Sequence, residues 1–152
     1  MAAEITGATL LELLPQQEPF RFIDEILEVD DERIAAAYRF RPDAAFYRGH
    51  FPCRPITPGV LLIEAMAQAA VVAHGIYLLS RNDGGDDASK LVTLFTDANV
   101  EFSGVVNPGD RVTVHGNVVF FRRRKLRSQV EMRLEDGSVV CSGVLSGMGV
   151  PR

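Results

Sequence analysis

The 152 residues are 47% hydrophobic and 24% charged, which excludes a disordered or collagen-like chain and fits a single domain over residues 1–152. A net charge of −4, from 16 basic and 20 acidic residues, speaks against general nucleic-acid binding. Two cysteines, Cys53 and Cys141, are too few for a disulfide framework, and residues 1–11 lack the basic start and apolar run of a secretory signal, so the expected setting is cytoplasmic.

The first element is a short helix. Thr9 and Glu12 have capping-box spacing, Leu10, Leu11, Leu13 and Leu14 supply an apolar side, and Pro15 and Pro19 end it. Residues 22–29 and 33–40 read as strands, joined by a turn at Asp30-Asp31-Glu32. Residues 46–59 hold three prolines and two glycines, the mark of a fixed irregular loop. A helix is expected from Pro58 to Ser80, with Thr57 as its N-cap and Pro58 in the first helical position. It would be roughly 33 Å long, and it is apolar on almost every side. Such a helix is buried in protein or in lipid. Glu64, Gln68 and His74 within it, and the strands around it, favour protein.

The acidic, glycine-rich stretch 81–89 reads as an exposed loop. Strands follow: 91–102 with an interruption near Asp97, then Val112 to Phe120 after the turn Asn107-Pro108-Gly109-Asp110. Gln129 to Leu134 and Val139 to Leu145 form a hairpin about Asp136-Gly137. Five basic residues cluster at Arg122, Arg123, Arg124, Lys125 and Arg127, as a solvated strand edge or as a surface for an acidic partner. The class is therefore α+β, one antiparallel sheet curled round one long central helix. A helix this apolar needs more cover than one small sheet gives, which predicts a twofold dimer.

Chemistry concentrates in the middle of the chain. No His-x-x-x-His or Cys-x-x-Cys pattern supports a metal. His74, in the apolar helix, and His115, on a strand, read as structural. His50 lies in the loop stiffened by Pro52, Pro55 and Pro58, and a general base needs fixed position before it needs a tuned pKa. Glu64 lies in the most apolar segment, where desolvation would raise its pKa and let it donate a proton. Gln68, four residues on, shares its face and can hold it or a water. The N–H groups at Gly59 open the helix and offer an oxyanion site. A base, an acid and an oxyanion site within 15 residues suggest proton abstraction beside a carbonyl with loss of a β-hydroxyl. Cys53 reads as a spectator.

Gly49-His50-Phe51-Pro52, Pro55-Ile56-Thr57-Pro58-Gly59-Val60 and Glu64-Ala65-Met66-Ala67-Gln68 closely resemble the β-hydroxyacyl-(acyl carrier protein) dehydratases of hotdog fold. Leu13-Leu14-Pro15, Pro19-Phe20 and Ile23-Asp24 resemble that family's N-terminal block, and residues 102–110 and 121–137 its last strands. The resemblance implies dehydration of a (3R)-3-hydroxyacyl chain to the trans-2-enoyl chain. His50 would be the base and Glu64 the acid, supplied by opposite subunits of a dimer. The Gly59 N–H would bind the thioester carbonyl, the Ile56 carbonyl would orient His50, and Gln68 would place Glu64 and a water. It implies no metal or redox cofactor. The substrate would arrive on the phosphopantetheine of an acidic acyl carrier protein, with the 122–127 strip, Arg48 and Arg54 as docking residues. A homodimer, a trimer of such dimers, or a heterodimer with a related subunit would all suit the family.

Gln16 and Gln17 stand where the family usually has His-Arg, which touches local contacts and not the catalytic pair. Glu64 at the acid position resembles the dehydratase-only branch, whereas Phe102-Ser103-Gly104 is closer to the branch that also isomerises the double bond, so primary fatty-acid synthesis and specialised acyl products such as polyenes both remain open. Two rivals use the same fold: a thioesterase, and a non-catalytic acyl-binding subunit.

Overall fold

A computed structural model of the chain describes residues 4–81 and 87–152. Most of the expected acidic loop, residues 82–86, lies outside them.

The first helix, α1 (Gly7–Glu12), starts earlier than its capping-box spacing suggests. Thr6 is the cap: its hydroxyl accepts from the Thr9 N–H at 3.2 Å, and Thr9 sits inside the helix. Strand β1 (Glu25–Val29) starts three residues later than expected. The backbone of residues 20–22 is drawn away from the ladder by a side chain of the long helix. Phe22 N–H donates to Gln68 Oε1 at 2.8 Å, and Gln68 Nε2 donates to the Phe20 carbonyl at 2.8 Å. The turn into β2 (Arg33–Arg39) is closed by Asp30, whose carboxylate accepts from the N–H groups of Glu32 and Arg33.

The long helix, α2, spans Gly59–Arg81, and its middle, Gln68–Ala73, is wound as a π-helix. By length and composition it could cross a membrane, but 72% of its apolar window is buried inside the fold. Thr57 does not cap it. Its hydroxyl bonds instead to the Tyr47 hydroxyl at 2.6 Å, and Pro58 takes the cap position with no side-chain bond to the helix.

Strands β3 (Leu91–Phe102), β4 (Arg111–Arg122), β5 (Lys125–Leu134) and β6 (Val139–Pro151) complete one antiparallel sheet of order β1-β2-β4-β5-β6-β3. The expected interruption in β3 is a bulge between Phe95 and Asp97. β6 runs six residues beyond the expected Leu145, because β3 is long enough to pair with all of it, Leu91 opposite Pro151. This is the hotdog arrangement, a sheet wrapped round one helix. Small residues set the spacing. A Cβ on Gly116 of β4 would come within 2.7 Å of the Ala70 Cβ, so glycine there lets sheet and helix touch. On β5, Ser128 donates its hydroxyl to the Ala70 carbonyl at 3.2 Å.

β3 borders the sheet. Among the described residues its outer edge has no partner strand, and Leu94, Phe95 and Phe102 are all about half exposed. The basic run is the turn of the β4–β5 hairpin. Arg123 and Arg124 both take left-handed backbone, at φ 51° and 64°, as a two-residue hairpin turn requires.

Candidate active site

Four residue pairs hold the loop between the short 3-10 turn at Ala45–Arg48 and α2. His50 and Ile56 are tied twice, by Ile56 N–H to the His50 carbonyl at 2.9 Å and by His50 Nδ1 to the Ile56 carbonyl at 3.0 Å. Between them, Phe51 and Arg54 exchange reciprocal backbone bonds of 3.1 and 3.0 Å. Thr57 N–H then donates to the Val106 carbonyl, and the Tyr47–Thr57 bond pins the loop's start to its end. Burial pushes the Tyr47 phenol pKa up, so it serves as a neutral hydrogen-bond partner.

A carbonyl accepts only, so Nδ1 of His50 donates to it, and in the neutral ring Nε2 is the nitrogen left to act as acceptor. The ring stacks on Phe51 at 4.2 Å between centroids, and the residue is half-buried. Orientation, tautomer and access are those of a general base.

Glu64 lies one turn into α2 and is also half-buried. Its Oε1 accepts from Gln68 Nε2 at 2.9 Å. Gln68 is fully buried, and its other two bonds go to the backbone of Phe20 and Phe22. The carboxyl is thus held by a side chain that is itself held by main chain. At the helix start, Leu61 and Leu62 N–H both turn back to the Pro58 carbonyl. With no side-chain cap, the N–H groups of Gly59 and Val60 remain for a ligand. A Cβ on Gly59 would stand 3.0 Å from the Phe102 ring, so a larger residue here must push that ring aside.

One protomer brings Glu64 and Gln68 together, and His50 with Ile56. It does not bring the two pairs into one cavity. The cavity at Glu64 is walled by Gln16, Ala67, Val71, Val72, Thr93 and Phe95, and His50 is not among its lining. Gln16, Thr93 and Phe95 were not read as site residues from the sequence. Only the folding of β3 beside the helix puts Thr93 and Phe95 there. Gln16 brings a buried Oε1 that has no hydrogen-bond partner.

The basic residues divide. Arg48 and Arg54 are exposed on either side of His50. The hairpin strip lies toward the other end of α2, where Arg124 lines a cavity with Gly75 and Leu79. Arg127 is engaged, donating to Ser146 at 2.9 Å and pairing with Asp97 at 3.4 Å, and Arg122 and Arg127 both flank the Phe120 ring. His74 is fully buried with Nε2 on the Asp30 carbonyl at 2.8 Å, a structural role. Cys141 is buried, and its thiol is pushed up to about 11, away from reactivity. Cys53 is exposed.

Comparison with known proteins decides the family. The FabA-like domain matches residues 14–144. The chain belongs to the FabA-like family. Among FabA-like relatives, the 3-hydroxyacyl-[acyl-carrier-protein] dehydratase FabZ of Lactococcus lactis subsp. cremoris (strain SK11) is 34% identical over 143 residues, 93% of each chain. The protein of the same name from Streptococcus pyogenes serotype M3 (strain ATCC BAA-595 / MGAS315) is 37% identical over 134 residues, 88% of this chain and 90% of that one. The FabA-like backbone also matches the dehydratase heterocomplex ApeI:P from Xenorhabdus doucetiae, with a TM-score of 0.76 and 16% identity over 97% of this chain and 93% of that one. The thioesterase HI1161 from Haemophilus influenzae follows at 0.67 and 17%, over 99% and 96%. At such identities these two likenesses are of fold.

Proposed function

We propose that this protein dehydrates (3R)-3-hydroxyacyl chains carried on an acyl carrier protein to trans-2-enoyl chains in fatty-acid synthesis. The observation that carries the reading is the clamp on Glu64: an acid held by buried Gln68, one turn inside a helix whose first N–H groups are uncapped. In the forward direction His50 Nε2 removes the C2 proton, and the charge that develops on the thioester oxygen is met by the Gly59 N–H. Glu64, protonated, gives its proton to the C3 hydroxyl, which leaves as water. The proton on His50 returns to solvent and Glu64 is reprotonated, so the net change is the loss of one water with no change of oxidation state, and the step as proposed uses no metal or redox group.

His50 and Glu64 would meet across a homodimer, one residue from each subunit. The outer edge of β3, with Leu94 exposed and Phe95 exposed at the Glu64 cavity, supports that assembly. A non-identical FabA-like partner would serve the same geometry. We assign first contact with the acidic carrier to Arg48 and Arg54, exposed beside the base, with the hairpin from Arg122 to Arg127 as a second basic surface. We propose a cytoplasmic enzyme, a setting with which a long apolar helix buried in its own core is compatible.

The test is hydration of a trans-2-enoyl thioester, followed as loss of the conjugated absorbance. Wild type turns over, and His50→Ala, folded, loses about 10²–10⁴-fold. A His50→Ala variant with near-normal rate would overturn the assignment.

A further inference from the structure

Two cavities flank α2, and they share walls. The one holding Glu64 has a volume of about 90 Å³. The other, about 20 Å³, lies beyond it against Gly75, Ile76, Leu79, Leu91 and Phe121, with Arg124 at its rim. Val71, Val72 and Thr93 line both. The helical residues involved, Glu64, Ala67, Val71, Gly75 and Leu79, follow one another at spacings of three and four, which is a single stripe along the helix. Phe95, Thr93 and Leu91 alternate along β3 and form the facing wall. The two cavities therefore lie end to end parallel to the helix axis, starting at the acid, and joined at Val71, Val72 and Thr93 they would make one channel.

The channel is built with small residues where it passes from one cavity to the next. A Cβ on Gly147 of β6 would come within 2.5 Å of Val71 Cγ1 and 2.9 Å of Thr93 Cγ2, so glycine keeps the junction from closing. Val71 and Val72 sit in the π-helical turn, a departure from α-geometry that proteins keep mostly at functional sites. Gly75 is different again. Among the described residues, a Cβ there would meet nothing nearer than Leu126 Cδ2 at 3.9 Å, so it faces the second cavity. Glycine inside a helix costs about 1 kcal/mol relative to alanine. No packing demand accounts for that cost here, whereas room for a ligand does.

We propose that Gly75 sets the acyl-chain length of this enzyme, admitting linear chains that reach past the Val71–Thr93 junction and end against Leu79 and Leu91. The proposal rests on the dehydratase reading and deepens it. Two rulers give the reach. From Glu64 to Gly75 the helix advances at most about 16 Å, less where it is wound as a π-helix, and from Phe95 to Leu91 the strand advances about 13 Å. An extended hydrocarbon advances about 1.3 Å per carbon, given C–C bonds of ~1.5 Å. With C3 at Glu64, a chain of roughly 13–16 carbons brings its methyl end to Gly75. Apart from Arg124 the end of the channel is apolar, which suits a plain methyl terminus.

The experiment compares hydration of trans-2-hexenoyl- and trans-2-hexadecenoyl-coenzyme A by wild type, Gly75→Ala and Gly75→Leu. The ratio of the two rates on one preparation cancels any loss of folded enzyme. Gly75→Leu is expected to lower the long-to-short ratio by about tenfold or more, the discrimination typical of filling an apolar pocket, with Gly75→Ala in between. Leu79→Ala, which lengthens the channel, is expected to raise the octadecenoyl-to-hexadecenoyl ratio. Ratios that stay within about twofold of wild type in all three variants would overturn the proposal, as would a wild type that hydrates the hexenoyl chain but not the hexadecenoyl chain. Hydration of neither chain by wild type would defeat the dehydratase reading itself, and this inference with it.

Discussion

Gln68 joins the site to the fold, and replacing it by methionine tests both ends of that link. Methionine fills a similar volume but makes no hydrogen bonds of the kind lost. The change unpairs the Phe22 N–H, on a residue only 4% exposed, and the carbonyl of Phe20, which is 49% exposed. A buried orphan donor costs about 1–3 kcal/mol, and the more accessible carbonyl about 1. The expected loss is thus about 2–4 kcal/mol, a large part of an ordinary domain's stability. For a chain of this size that lowers Tm by about 5–15 °C. Urea unfolding of wild type and Gln68→Met, at one protein concentration, measures it. In the same variant Glu64 loses the side chain that holds its carboxyl, so the hydration rate per folded enzyme should fall by about tenfold or more. A destabilisation under about 1 kcal/mol would refute the view that this amide replaces ladder hydrogen bonds for residues 20–22.

Three further outcomes are expected. Burial holds the folded pKa of His74 below its ordinary 6.5, so as pH falls through that value the unfolded chain takes up the proton first; the stability present above 6.5 should decline as pH falls below it, and the slope should shrink in His74→Gln, with an unchanged slope counting against it. Arg123→Gly should stabilise the protein by roughly 0.5–1 kcal/mol in denaturant unfolding, because left-handed backbone costs arginine more than the added freedom of glycine costs the unfolded chain. Gly59→Ala should lower hydration by about tenfold or more, since its Cβ meets the Phe102 ring and disturbs the oxyanion donor, and Phe102→Leu in the same chain should restore part of the rate; no restoration would argue that the ring is not what the methyl strikes.

Much of the architecture was legible because its signals are periodic and local. The alternation in β4 and β5, the Asp136-Gly137 turn and the apolar run of α2 each announce one element. Glu64 and Gln68 were legible as a pair because four residues is one helical turn. What could not be read depends on distant partners. Thr57 has every property of a cap, but Tyr47, ten residues back, takes its hydroxyl. Phe22 and Ile23 have strand chemistry, yet a glutamine 46 residues on claims the Phe22 N–H. Arg123 and Arg124 form a hairpin turn without the glycine or asparagine that usually marks one. Thr93 and Phe95 reach the Glu64 cavity only because the sheet order sets the third strand of the chain beside the sixth.

The bonds from Gln68 to residues 20 and 22 are made to main chain, and main chain is the same whatever side chains it carries. Sequence drift at Phe20 or Arg21 therefore leaves the acid's support in place, provided the spacing of the segment is kept. An inserted or deleted residue between Pro19 and Asp24 would move a different N–H opposite the amide and release Glu64. Homologous chains built on this plan should vary freely in the lettering of that stretch and hardly at all in its length. Loop grafts at this point are to be designed residue for residue.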